Sequence, residues 1–131
     1  MPEIALEGGY SRRSDVIEDD YHIFRLNQRA LQQLASFLEG MASTSQSLKL
    51  DIGDGRLWIE TVSEGFLASL TSSGAVLLQL GRRELTNLVN RITRMANCEA
   101  DPGDVIQIHL DYSFTAADQN ISDVVIERID A

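Results

Sequence analysis

The stretch IFRLNQRALQQLASFL, residues 23–38, changes its period at Asn27. Before that point Ile23-Phe24-Arg25-Leu26 reads as a short strand. After it, Leu31, Leu34, Ala35 and Leu38 fall at i, i+3, i+4 and i+7, one stripe of an amphipathic helix. Asn27 stands where such a helix needs an N-cap, a side-chain oxygen that accepts from one of the first backbone N–H groups. Fifty-four residues further on, LLQLGRRELTNLVNRI (77–92) runs through Gly81 into a helix with Leu85, Leu88, Val89 and Ile92 at the same spacing. Leu26, Arg29, Leu31 and Leu34 are matched in kind by Leu80, Arg83, Leu85 and Leu88. Each helix is followed by a loop and two strand-like runs, so the chain can be written as two β-α-β-β units. Four matches also arise whenever two amphipathic helices follow two apolar strands, so these residues leave duplication and coincidence both open.

Working outward, residues 48–52 and 56–62 alternate around Gly53-Asp54-Gly55, where Asp54-Gly55 is expected as the tight primed turn of a hairpin. Residues 66–71 and 75–80, separated by Ser72-Ser73-Gly74, predict a second hairpin that joins the two units. After the second helix, Asp101-Pro102-Gly103-Asp104 reads as a turn into the clearest strand of the chain. There Ile106, Ile108, Leu110, Tyr112 and Phe114 alternate with Gln107, His109, Asp111, Ser113 and Thr115. Residues 115–120 turn, and residues 121–129 return as the last strand. The expectation is an α+β fold, a mainly antiparallel β-sheet with the two amphipathic helices packed on one face through the Leu31/Leu34/Leu38 and Leu85/Leu88/Ile92 stripes. Residues 3–7 fit an edge strand, while residues 8–14 carry no period and read as a loop or mobile arm. No Pro-, Ser- or Gly-rich linker divides the chain, so residues 1–131 are read as a single domain.

A chain of 131 residues, 44% of them apolar, is long enough to bury a core without disulfides or a structural metal. The lone cysteine, Cys98, excludes a disulfide framework within the chain, and no apolar run of 18 residues occurs. Met1-Pro2-Glu3 opens without a basic or apolar leader. These features predict a soluble, cytoplasmic protein, and ten arginines against one lysine fit a bacterial, GC-rich source.

The charge of −9 is unevenly spread. Residues 65–98 set Arg82, Arg83, Arg91 and Arg94 against Glu84 alone. Residues 99–131 hold eight acids, among them Asp111, Asp118, Asp123, Glu127 and Asp130, against Arg128. So much carboxylate repels phosphate backbones and anionic lipids, which argues against membrane contacts and, except through the arginine-bearing helix, against direct nucleic-acid contacts, and for a cationic protein partner. An acidic balance also simply keeps a domain in solution.

Few residues carry a recognisable chemistry. His22, His109 and Cys98 lie on separate elements without the spacing of a zinc site, and Asp51 and Asp54 lack the further ligands of a calcium loop. Glu99, Asp101 and Asp104 surround a Pro-Gly turn, where they either are solvated or hold a hard cation weakly. No glycine-rich loop opens a helix to cradle phosphate, so no cofactor is expected. His109 and Asp111 share a strand face, where a carboxylate raises and orients an imidazole; an exposed His and Asp on a solvated sheet explain the pair equally well. Arg82 and Arg83 oppose the dipole of their own helix N-terminus, and Arg91 and Arg94 stand opposite its apolar stripe. Those arginines either pair with the chain's own acids or face a partner. The first helix instead turns Gln28, Gln32, Gln33 and Ser36 outward. Together these features favour a non-catalytic, acidic protein-binding inhibitor of the kind of a bacterial immunity protein or antitoxin. It would contact its partner through Asp111, Asp118, Asp123, Glu127, Asp130 and the second helix's arginines Arg82, Arg83, Arg91 and Arg94. The alternatives are a small enzyme or ligand-binding module built on His109 and Asp111, and a self-assembling subunit, for which a homodimer is the simplest form.

Overall fold

In a computed structural model, residues 3–14, 20–44, 47–97, 106–111 and 123–129 are described. In chain order the elements are β1 (Glu3–Leu6), β2 (Gly8–Ser14), β3 (Asp20–Leu26), α1 (Gln28–Thr44), β4 (Leu48–Ile52), β5 (Gly55–Thr61), β6 (Phe66–Leu70), β7 (Val76–Leu80), α2 (Arg82–Asn97), β8 (Ile106–Asp111) and β9 (Asp123–Arg128). The class is α+β. The strands divide into two sheets, a five-stranded one ordered β1-β4-β5-β7-β6 and a four-stranded one ordered β2-β3-β9-β8. Hairpin pairs are antiparallel, whereas β1–β4, β3–β9 and β5–β7 are parallel.

The parallel pairs show how the two units combine. Each unit is a hairpin, a helix and a second hairpin: β2-β3, α1, β4-β5, then β6-β7, α2, β8-β9. Neither unit closes its own sheet. The first hairpin of one unit joins the last hairpin of the other, through β3–β9 and through β5–β7. The same backbone bond closes both junctions: the Ile129 N–H donates to the Leu26 carbonyl and the Val62 N–H to the Leu80 carbonyl, each at 2.9 Å. Leu26 and Leu80 are also the repeat partners read from the sequence, so a repeat is present as topology, each unit having one strand more before its helix than the β-α-β-β reading gave it.

Alternation and helical spacing together make one core. Leu48, Leu50, Ile52, Leu57, Ile59 and Leu78 point inward from the larger sheet, and Phe24, Leu26, Val124 and Ile126 from the smaller. Leu31, Leu34, Leu38 and Met41 of α1 and Leu85, Leu88, Ile92 and Met95 of α2 fill the same cluster. Each such side chain contributes roughly 1.5–3 kcal/mol of transfer free energy. The two helices also pack against each other. Asn27 caps α1 as expected, its Oδ1 accepting from the Ala30 N–H at 2.8 Å.

Two local expectations are corrected. Residues 8–14 are not a loop or arm but strand β2, paired along its length with β3. What orders them is Tyr10, whose ring lies 4.9 Å from that of Phe24 and whose hydroxyl shares a 2.7 Å hydrogen bond with Nδ1 of the fully buried His22. The β4–β5 turn is Gly53-Asp54 rather than Asp54-Gly55, because Ile52 pairs with Gly55. Gly53 takes the positive φ of 58° at the first turn position, and Gly55 lacks a side chain because a Cβ there would run into the Tyr10 ring. The Ser72-Ser73-Gly74 hairpin stands as read, with Gly74 at φ 87°. The β1 edge strand forms at the rim of the larger sheet. The continuations expected at residues 112–122 lie outside the described residues.

Candidate functional site: the arginine face of α2

Helix α2 buries Leu85, Leu88, Val89, Ile92, Met95 and Ala96 and turns its other side outward. Its ends are held by the rest of the fold. At the start, Gly81 donates its N–H to the Gly65 carbonyl at 2.7 Å, a close approach that leaves no room for a side chain: a Cβ on Gly81 would lie 2.7 Å from Glu64 Cα. The Glu84 carboxylate turns back over Gly81, placing a negative charge at the first turn where the helix dipole and Arg82 and Arg83 are positive. At the other end, Arg128 of β9 donates to the Met95 carbonyl at 2.9 Å and Gln28 of α1 donates to the Ala96 carbonyl at 2.7 Å. A cation and an amide thus satisfy carbonyls that a helix C-terminus leaves open.

Between α2 and strand β6 runs a groove of about 540 Å³, with Phe66, Leu80 and Leu88 as its apolar floor and Arg83, Glu84, Asn87 and Arg91 along one wall. Arg83, Asn87 and Arg91 fall at i, i+4 and i+8, so they form one row, with the two arginines two turns and about 12 Å apart.

Seven of the ten arginines fall into two groups. Arg25 donates from Nε to Glu127 at 2.8 Å and from a terminal nitrogen to Ser11 Oγ at 2.8 Å; Arg56 lies 4.0 Å from Asp51; Arg128 caps α2. Arg82, Arg83, Arg91 and Arg94 meet no carboxylate among the described residues. Of the two explanations open in the sequence, internal pairing finds no support among the described acids.

Of the acidic candidates, Asp111 lies on β8 and Asp123 and Glu127 on β9, the two strands on which the sequence puts them. Glu127 is committed to Arg25, and its side chain is only 16% exposed. Asp111 and Asp123 stand directly opposite each other in the β8–β9 register. Asp118 and Asp130 lie outside the described residues, as does Cys98. His109 pairs with Val125, and the row continues through Ile23 to Ser11. Three strand spacings therefore separate His109 from the serine in its own row, about 14 Å, too far for an activated hydroxyl.

The sequence exposed the arginine row but not the groove. Phe66 sits far from α2 along the chain and reaches it only because β6 pairs with β7. The hairpin itself was predicted from residues 66–80; that Phe66 would reach α2 from it was not. No helix among the described residues is long and apolar enough to cross a membrane. Compared with known proteins, the chain matches no family model and no curated protein.

Proposed function

We propose that this chain is a small acidic binding protein that inhibits or shields a protein partner, in the manner of an immunity protein or antitoxin, and that the arginine face of α2 belongs to its contact surface. The observation that carries the reading is the unequal use of arginine. In a chain of net charge −9, four arginines on one helix are left without a described carboxylate while Arg25 and Arg128 are bound internally and Arg56 has Asp51 at 4.0 Å on the surface. Arginine beside an apolar floor is the composition of an interface anchor. The carboxylates of the C-terminal stretch of sequence, Asp111, Asp118, Asp123 and Asp130, suit long-range steering of a cationic partner. Attraction then belongs to the acidic surface and grip to the groove.

The test is affinity capture with paired baits, the natural chain and an Arg83→Glu, Arg91→Glu variant, followed by kinetics with the partner recovered by the first. Charge reversal is expected to weaken that complex at least a hundredfold, chiefly through faster dissociation, while association with the natural chain slows as salt is raised. An unchanged affinity in the variant, with association indifferent to salt, overturns the reading.

A further inference from the structure

The outward side of α2 carries a row of its own, distinct from the wall of the groove. Arg83, Asn87, Asn90 and Arg94 fall at i, i+4, i+7 and i+11, one straight stripe, and all four are exposed. No hydrogen bond or ion pair to another described residue holds any of these four side chains. Beside them, Thr86 and Thr93 spend their hydroxyls on the Arg82 and Val89 carbonyls, at 2.9 and 2.8 Å. Glu84, the acid of the helix, is half-buried on the groove side, with its carboxylate folded back over Gly81. Neighbouring α1 exposes Gln28, Arg29, Gln32, Gln33 and Ser36, so the two packed helices hold five arginines against Glu39 and Glu84. The other described acids stand outside the helices. In a chain of charge −9 the helix layer is a cationic surface.

We infer that this stripe binds duplex DNA across its major groove, with an arginine on each phosphate rim and the two asparagines over the base edges. The protein contact proposed above is not a premise of this inference; DNA is a second ligand of the same helix. Geometry comes first. Eleven residues of helix set Arg83 and Arg94 about 16 Å apart, enough to straddle a major groove roughly 12 Å wide. Arginines bind the phosphates that fix a protein's position, and an asparagine amide between them matches the donor and acceptor that adenine presents there. Composition agrees. The exposed large apolar side chains among the described residues are Phe37 and Ile129, neither on α2, so the stripe lacks the apolar centre of a protein interface. DNA-binding surfaces are more polar and more cationic than protein interfaces. No aromatic residue occurs on α2 for single-stranded bases to stack on, and the major groove of an RNA duplex is too narrow for side chains to read. At physiological salt, charges more than about 8 Å away are largely screened. Acids elsewhere on the chain therefore lower the affinity without cancelling the contact.

The probe is a fluorescein-labelled DNA duplex of about 20 base pairs, titrated with the full chain while anisotropy is read from about 25 to about 150 mM salt. Saturable binding is expected, with the logarithm of affinity falling against that of salt at a slope of about −2 to −4, since each phosphate contact contributes about −0.9. Arg83→Gln with Arg94→Gln should weaken binding at least tenfold at low salt and bring the slope about 2 closer to zero. Asn87→Ala with Asn90→Ala should leave the slope unchanged and erase any preference for a duplex with central adenines over one of G·C pairs alone. All four positions are exposed, so both variants should keep the denaturation midpoint of the natural chain. An RNA duplex of the same sequence, a single strand and polyglutamate should each compete at least tenfold less well. No saturable binding at the lowest salt, an unchanged slope in the arginine variant, or equal competition by the RNA duplex or the single strand overturns the inference. Equal competition by polyglutamate overturns it too and assigns the stripe to an acidic protein segment. Any of these failures leaves the protein contact standing, because capture from a nuclease-treated lysate is scored separately on the Arg83→Glu, Arg91→Glu variant.

Discussion

The two halves of the molecule agree where they are buried and diverge where they meet water. Leu26 and Leu80, Leu34 and Leu88, Leu38 and Ile92, Met41 and Met95, and Ile126 and Ile59 occupy corresponding places and are all buried. Even a polar contact recurs: Arg25 grips Glu127 across the β3–β9 junction, and Gln79 donates to Glu60 at 3.2 Å across β5–β7. On the helix surfaces the match ends. The row Arg83, Asn87, Arg91 on α2 corresponds to Arg29, Gln33, Phe37 on α1, where the last side chain is an exposed aromatic rather than a cation. At the far end of the sheets, Asp51 faces Arg56 in one and Asp111 faces Asp123 in the other. A shared core under unlike surfaces separates what maintains the fold from what is free to recognise something else.

If the cores are equivalent, equivalent truncations should have similar costs. Leu34→Ala and Leu88→Ala each remove a fully packed leucine from facing helices and should each lower unfolding free energy by about 2–5 kcal/mol, with the two values within about 1 kcal/mol of one another. Urea denaturation measures both. A cost below about 1 kcal/mol at either position would mean that its helix does not share the common core, and the repeat would then be one of outline only.

The helix starts sharpen the comparison, because the two units solve the same problem with different residues. Asn27 caps α1 with its side chain, whereas Gly81 has Glu64 backbone where a side chain would go. Asn27→Gly should therefore cost a few tenths of a kcal/mol and Asn27→Ala about 1 kcal/mol. The reverse exchange, Gly81→Asn, gives α2 the better capping residue yet should destabilise by about 1–3 kcal/mol through overpacking against Glu64. A Gly81→Asn protein as stable as the natural chain would show that the 62–65 loop gives way freely and that the asymmetry has no steric basis.

How much of this was legible follows from the range of each signal. The helices were readable because their stripes are local, and the constant spacing from Leu26 to Leu80 carries through Met41 and Met95. Hairpins were readable from Gly74 and from the glycines near Asp54, although which glycine turned and which made room for Tyr10 depended on a strand elsewhere in the sequence. The exchange of hairpins between units was not readable. Nothing in β3 or β7 says which distant strand lies beside it, and the single sheet expected from alternation becomes two. The arginine row was legible as helical spacing. Its apolar floor, from Phe66 and Leu80, was not.

The smallest effect tests the most informative difference. In the larger sheet Asp51 and Arg56 form a well-exposed pair at 4.0 Å, of the kind that contributes a few tenths of a kcal/mol. The corresponding register position of the smaller sheet sets Asp123 against Asp111, and like charges directly opposite on an antiparallel pair are unfavourable. Converting the second arrangement into the first, by Asp123→Arg, should raise stability by about 0.2–1 kcal/mol at low salt. The gain should shrink as salt is added, because screening weakens the original repulsion and the new attraction alike. The same substitution removes two units of negative charge from the surface proposed to steer the partner, so association should slow while dissociation changes little. A more stable protein that associates more slowly is the signature of a charge kept for recognition at the expense of the fold. A loss of stability on Asp123→Arg would show instead that the row Arg13, Tyr21, Asp123, Asp111 already balances its carboxylates, and the two sheets would then differ in wiring rather than in purpose.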